Sequence, residues 1–156
     1  MGTLYYLKEA RSMFSVLEVA KAFLAIDTMT HKKLQKLCYY AQAWNLAIDN
    51  EPLFFEEIEA WVHGPVVREL YEEYREHKWD NIPKIGSDGI PEGLIVYVKS
   101  IYDLYGEFNG DQLENLTHSE SPWKNARKGL KPWEASDKKI DSNDIKVFFR
   151  SLLSAN

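Results

Sequence analysis

One segment near the start of the chain, residues 30–48, places the strongest constraint on the fold. Its apolar side chains recur at every third or fourth position, the spacing that aligns side chains on one face of an α-helix: Leu34, Leu37, Cys38, Ala41, Trp44 and Ile48. After Cys38 the opposite face is also largely apolar, and only Gln42 and Asn45 interrupt it. A helix that is apolar on nearly all sides has to be surrounded by protein. The sequence therefore predicts a central helix that begins after a Thr30 cap.

Shorter amphipathic segments on both sides of the central helix predict a mainly α fold. Ser15 and Glu18 have the spacing of a capping box, which marks the start of a first helix. Apolar stripes predict further helices in five places, namely residues 65–77, residues 94–105, residues 111–117, from residue 121 and from residue 141 or 142. We expect a single compact helical domain of about six to seven helices around the central one. A small short-stranded β element within residues 55–62 stays open as an addition.

Several predicted helix ends depend on glycine, proline or serine. Gly64 and Pro65 suit the N-cap and the first position of a helix, because proline lacks only an N–H that has no partner there. Gly106 suits a left-handed C-cap, since it has no Cβ. Ser121 suits an N-cap that is followed directly by Pro122.

The length and composition fit one domain. With 156 residues, 45% of them apolar, the chain can bury a substantial core. We assign residues 15–153 to this domain and residues 1–14 to an N-terminal extension. The chain contains neither a run of eighteen apolar residues nor the apolar region of a signal peptide, so a cytoplasmic location without a membrane partner is expected. The single cysteine, Cys38, excludes an intramolecular disulfide framework and a cysteine-rich zinc site.

Charge is distributed unevenly along the chain. The net charge is −5, which argues against a general nucleic-acid binder, because such proteins need a basic surface to displace counterions. Residues 49–76 hold nine acidic and two basic side chains, whereas residues 124–150 hold eight basic and four acidic ones. The basic stretch, together with Trp123 and Trp133, keeps a nucleic-acid-binding accessory protein open as an alternative.

The residues that catalysis or metal binding would require are scattered. The four histidines form neither an H-x-x-x-H pair nor an H-E-x-x-H motif, and no glycine-rich phosphate loop occurs. We therefore expect no catalytic residues, no metal and no cofactor. One alternative is a small hydrolase or metal enzyme, which would need His63, His118 and Glu120 to converge in the fold.

Three sequence blocks resemble a known family. They are LQKLCYYAQAW at residues 34–44, IEAWVHGPVV at residues 58–67 and LENLTHSESPWKNAR at residues 113–127. In this order and spacing they resemble the Panacea domain antitoxin family, which includes SocA and the phage-associated protein GepA. The resemblance implies a mostly α-helical antitoxin that neutralises a toxin encoded beside it by direct protein contact. It also leaves open an adaptor that delivers its partner to a Clp-type protease.

A candidate surface for the toxin follows from the charges around the central helix. His31, Lys32, Lys33 and Lys36 place positive charge at the N-terminal end of that helix, where the macrodipole favours anions. A solvated basic face is one interpretation, and a contact surface for an acidic partner is the other. We expect toxin contact to involve the exposed parts of the central blocks, at Lys32, Lys33, Lys36, Tyr40, His63 and Glu69.

Overall fold

The computed structural model describes residues 13–155, which form seven α-helices and a short β-hairpin. The elements in chain order are α1 (Val16–Leu24), α2 (His31–Asp49), β1 (Glu59–Trp61), β2 (Gly64–Val66), α3 (Arg68–Tyr74), α4 (Glu92–Tyr105), α5 (Gly110–His118), α6 (Ser121–Ala126) and α7 (Ser142–Ser154). A single 3₁₀ turn, Arg75–His77, follows α3. The mainly α fold and the small β element are both confirmed. Among the described helices, none is long and apolar enough to cross a membrane.

Helix α2 is the central element, as its pattern predicts. Thr30 caps it by accepting a hydrogen bond from the Lys33 amide, and Asn50 ends it in the left-handed conformation with φ 60°. Helices α1, α4, α5 and α7 all pack against α2. From α4, the Tyr97 hydroxyl donates to the backbone oxygen of Ala41 over 2.7 Å. Burial of α2 on all sides supplies the hydrophobic free energy around which the other helices assemble.

Aromatic side chains fix the position of α7 on α2. The Phe149 ring of α7 lies edge-on to Tyr39, Tyr40 and Trp44, with centroids 5.1 to 6.2 Å apart. On the other side, Tyr40 stacks on Tyr105 of α4 with 4.0 Å between the ring centroids. Such pairs contribute about 0.5–1.5 kcal/mol each beyond the area they bury.

The predicted helix start at Gly64 and Pro65 is wrong, because these residues form strand β2. Glu59 pairs with Val66 and Ala60 with Pro65 in an antiparallel hairpin. The Ala60 amide donates to the Lys138 carbonyl and therefore points away from β2, so the missing N–H of Pro65 leaves no pairing bond unmade.

A side chain of the central helix ends strand β2. Gln35 donates to the Val67 carbonyl over 3.0 Å and accepts from the Val67 amide over 2.9 Å. The amide of Gln35 thus takes the place of a neighbouring strand at Val67. Helix α3 begins only at Arg68, directly after this contact.

Two other predicted caps also differ in detail. Gly106 ends α4 but with φ −66°, which is right-handed; a Cβ there would lie 2.5 Å from the Tyr102 carbonyl oxygen, so a close approach excludes other residues. The N-cap of α6 is Glu120, and Ser121 is already helical. Of the proposed N-terminal extension, residues 1–14, the first twelve lie outside the described residues. Phe14 itself is buried and forms an isolated parallel β-bridge with Phe54.

An aromatic and basic groove beside the central helix

The first lysines of α2 are tied to neighbouring elements. Lys32 Nζ lies 2.7 Å from Asp111 Oδ1 and also pairs with Glu114 of α5. Burial alone would lower the pKa of Lys32, but these two carboxylates raise it. Lys33 Nζ donates to the Gly106 carbonyl over 2.6 Å. Lys32 therefore holds the start of α2 against α5, and Lys33 holds it against the end of α4. Both lysines keep part of their surface in solvent.

Lys36 lies one turn further along and is buried, with 1% of its surface exposed. Its Nζ donates to the Pro65 carbonyl over 3.2 Å. Burial lowers the pKa of Lys36 to about 7, although the Glu114 carboxylate opposes this change. A Cβ at Gly64 would lie 2.9 Å from Lys36 Cε, so the glycine of the hairpin makes room for the lysine.

Tyr40 is also in the interior, two turns along from the lysines of the first turn. Its hydroxyl donates to Glu120 Oε1 over 3.0 Å, and both side chains are buried. Burial raises the pKa of Glu120 to about 7, which the hydrogen bond from Tyr40 opposes. Burial and the nearby Glu120 raise the pKa of Tyr40. Tyr40 thus stabilises the core and does not contribute to the molecular surface.

The enzyme alternative requires His63, His118 and Glu120 to converge, but in the structure the two histidines lie near Glu114 instead of Glu120. His63 Nδ1 lies 3.1 Å from Glu114 Oε2, and His118 Nε2 lies 4.0 Å from the same oxygen. Glu120 instead faces Tyr40. His118 stacks on Trp123 at 3.9 Å between ring centroids, and burial lowers its pKa. Within residues 13–155, no group of three histidine, cysteine or acidic side chains is arranged to hold a metal ion.

A groove of about 410 Å³ runs between the start of α2, the hairpin and α3. Its wall is mainly aromatic and apolar, and its cations come from three elements of the chain. Trp61 packs edge-on against Tyr71 with centroids 5.0 Å apart, and Trp79 also lines the groove, with 82% of its surface exposed. The lining residues are His31, Lys32, Gln35, Lys36, Trp61, His63, Val66, Tyr71, Arg75, Lys78 and Trp79. We call this feature the aromatic groove.

The structure distributes the six predicted contact residues over several environments. Lys32, Lys36 and His63 line the aromatic groove. Lys33 lines a second cavity of about 420 Å³, which shares Lys32 and Trp79 with the groove. Tyr40 lies in the core and Glu69 is exposed on α3, outside the groove lining.

Five groove residues lie outside the predicted contact set, namely Trp61, Val66, Tyr71, Arg75 and Lys78. Trp79 is a sixth, and its exposure distinguishes it from the core aromatic residues. A signal for some of them exists in the sequence, because the end of α3 and the residues after it alternate aromatic and basic side chains. The convergence of these residues with His31 and Lys36 depends on the hairpin, which the sequence pattern did not predict at Gly64 and Pro65.

Comparison with known proteins identifies the family. A family model described as "Antitoxin SocA-like, Panacea domain" matches residues 34–124, which is more than half of the chain. Comparison with curated proteins gives no match, and neither does comparison with solved structures. The matched segment runs from α2 through the hairpin, α3, α4 and α5 into α6 and includes most of the groove lining. The chain belongs to the SocA-like antitoxin family that is defined by the Panacea domain.

Proposed function

We propose that the protein is an antitoxin that neutralises, in the cytoplasm, a toxin encoded beside its own gene. The proposed action is stoichiometric binding without catalysis. The observation that carries this proposal is the family match over residues 34–124. It agrees with the chemistry of the described residues, because Gln35, Tyr40 and Gln42 of α2 are all engaged in structural hydrogen bonds.

The surface around the aromatic groove is the proposed toxin-binding surface. A stable protein interface buries about 1,200–2,000 Å² in total, so contact has to extend beyond a groove of this size. His63 and Glu69 are exposed beside it, and Lys32 and Lys33 are partly exposed at its edge. Lys36 and Tyr40 then support this surface from inside, Lys36 through the Pro65 carbonyl and Tyr40 through the core.

The test is expression of the neighbouring open reading frame with and without this chain. We expect the neighbour alone to stop growth, the pair to grow normally and the two proteins to co-purify in a fixed ratio. Because neutralisation is proposed to need no catalysis, a fixed excess of toxin over antitoxin should restore toxicity. A harmless neighbour, or relief of toxicity without any complex, would contradict the proposal.

A further inference from the structure

We propose that the aromatic groove binds an acidic segment of the toxin, in which a carboxylate lies next to an aromatic or large apolar side chain. This inference rests on the proposed antitoxin function and specifies the chemistry of the partner.

The first argument is the charge of the groove. Lys32, Lys36, Arg75 and Lys78 line it, and none of its described lining residues is acidic. Carboxylates outside the lining offset part of this charge, because Lys32 pairs with Asp111 and Glu114 and Arg75 lies 3.8 Å from Glu72. The whole chain has a net charge of −5, so this concentration of cations differs in sign from the average surface. A carboxylate on the partner would therefore be attracted to this site and repelled by most of the remaining surface.

The second argument is that two polar nitrogens buried in the wall of the groove are not fully hydrogen-bonded. Lys36 Nζ has three N–H groups when protonated and makes one hydrogen bond, to the Pro65 carbonyl at 3.2 Å. His31 Nδ1 is buried and has no hydrogen-bond partner among the described residues. Both side chains line the groove. Buried polar groups are seldom left unpaired, and a carboxylate from a partner would supply an acceptor to the Lys36 ammonium and to the protonated tautomer of His31 Nδ1.

The third argument is the apolar wall. Trp61, Val66 and Tyr71 line the groove, and so does the exposed Trp79. A small inorganic anion would leave these surfaces in contact with water, whereas an aromatic or large apolar side chain would cover them. Aromatic anchors in a pocket are typical of the residues that contribute most to a protein interface.

The surroundings favour a protein segment over a nucleic acid. Single strands also combine stacking with basic contacts, but they bring one negative charge per nucleotide. The exposed side of α3 and the turn after it carry Glu69, Glu72, Glu73 and Glu76, and Glu72 lies 3.8 Å from the groove residue Arg75. These four carboxylates would repel a continuous phosphate chain, while a peptide with one or two carboxylates can place them on the lysines alone.

The experiment measures the Kd between the purified chain and the product of the neighbouring gene. Two groove variants are compared, Trp79→Ala and the double variant Arg75→Glu/Lys78→Glu. The matched controls are Trp133→Ala, since Trp133 is 72% exposed, and Lys128→Glu/Lys138→Glu, since both lysines are exposed. We expect each groove variant to raise the Kd at least tenfold and each control to change it less than twofold. Unchanged circular dichroism and Tm show that the variants fold.

A cross-link identifies the segment that occupies the groove. A photoreactive phenylalanine at position 79, in the purified complex, should attach to a toxin peptide that has Asp or Glu beside an aromatic or large apolar residue. Attachment to a peptide without a carboxylate would overturn the inference. Groove variants that bind as tightly as the parent would overturn it too and leave the antitoxin function standing. A parent chain that neither binds nor neutralises the neighbour's product would overturn both.

Discussion

Lys36 and Glu120 are buried ionisable residues that make stability depend on pH in opposite directions. Lys36 has 1% and Glu120 has 6% of its surface exposed. Burial lowers the pKa of the lysine to about 7 and raises the pKa of the carboxyl to about 7, because a charge loses its hydration in the interior. The folded protein therefore releases protons from these two sites over the same pH range. Single substitutions at Glu120 and at Lys36 separate the contribution of each residue to the pH dependence of stability.

Glu120→Gln should abolish a loss of stability that occurs as the pH rises. The folded state keeps Glu120 protonated up to pH about 7, whereas the unfolded chain ionises it from about 4.5, so the folded state binds more protons between these values. In the parent protein, the contribution of Glu120 to the free energy of unfolding therefore falls by up to about 3 kcal/mol between pH 4.5 and pH 7. Glutamine keeps an acceptor for the Tyr40 hydroxyl. Urea unfolding at pH 4.5 and pH 8 should show similar stabilities at the lower pH and a more stable variant at the higher one.

The control for this prediction is Glu76→Gln, because Glu76 is exposed. Its stability should follow the parent at both pH values. If Glu120→Gln also follows the parent, the carboxyl of Glu120 ionises normally in the folded protein.

Lys36→Met should stabilise the protein and weaken toxin binding. Methionine keeps the apolar stem and removes the buried amine, whose lowered pKa corresponds to a cost of up to about 5 kcal/mol while the lysine is charged. The Pro65 carbonyl loses its donor, which costs about 1–3 kcal/mol, so we expect a net gain of about 2–4 kcal/mol at low pH. Because the pKa of Lys36 is lowered to about 7 from 10.5, the cost of the lysine is full below pH 7 and disappears as the pH rises to 10.5. The gain should therefore be larger at pH 6 than at pH 9. Chemical unfolding at both pH values tests the predicted gain in stability, and the Kd for the toxin tests the predicted loss of binding. A variant that is less stable than the parent at pH 6 would contradict the prediction.

At the scale of elements, local pattern predicted the helices and long-range contacts determined the hairpin. The bounds of α2 follow from its apolar period and the Thr30 cap, both of which lie within the segment itself. Strand β2 instead depends on Gln35, which is 32 positions from Val67 in sequence. Proline after glycine suits a helix start and also a strand residue whose N–H points away from its partner. Sequence alone offers no means of choosing between them.

The same limit applies to the candidate site. Lysines at a helix start are usually solvated, yet Lys36 is buried because the hairpin covers it and Gly64 leaves space for its stem. Tyr40 lies in a block whose two faces are both apolar, and the sequence does not say which tyrosine reaches a buried acid such as Glu120. Prediction of the groove would have required the position of β2 first.

Arg127 connects the hairpin to the irregular segment before α7. Its Nη1 donates to the Ala60 carbonyl over 2.9 Å, and its Nη2 donates to the Lys131 and Glu134 carbonyls. The guanidinium carbon lies 5.2 Å from the centre of the Trp123 ring. Arg127→Met should remove the guanidinium donors of the Ala60 and Glu134 carbonyls, while the Lys131 carbonyl keeps its bond from the Glu134 amide, and should lower stability by about 2–4 kcal/mol. Hydrogen exchange should accelerate most in residues 131–139.

Arg68→Met is the matched control for the arginine prediction. Arg68 also lies over a tryptophan, with its guanidinium carbon 5.3 Å from the Trp61 ring centre, but it is exposed and pairs with Glu59. Arg68 also lies 4.0 Å from Asp137, an exposed carboxylate of the monitored segment. Exposed pairs contribute little, so this variant should change both stability and exchange in residues 131–139 much less than Arg127→Met does. Equal effects of the two substitutions would contradict the proposed role of Arg127.

At the scale of the whole molecule, the basic stretch of residues 124–150 does not form an open cationic surface. Arg127 is buried against backbone carbonyls, and Arg150 donates to the Ala47 carbonyl over 2.9 Å. Lys146 Nζ lies 3.1 Å from Asn50 Oδ1. Trp123, which precedes this stretch, is 9% exposed, whereas Trp133 within it is 72% exposed. Several of the basic side chains therefore join elements of this fold, and they are not all available to phosphates.

This use of the basic residues predicts weak binding to nucleic acids. Affinity for a phosphate backbone rises with the number of cations that displace counterions, and a net charge of −5 opposes approach of a polyanion. Fluorescence anisotropy with labelled single-stranded and duplex DNA and RNA should show no saturable binding at micromolar protein in about 50 mM salt. Binding to the toxin in the same buffer provides the positive control. Tight binding that weakens steeply between about 50 and 200 mM salt would instead favour the nucleic-acid alternative and require a cationic surface on Lys124, Lys128, Lys138 and Lys139. Substitution of these four exposed lysines by glutamine would then abolish it, whereas the same change should leave toxin binding at the aromatic groove intact.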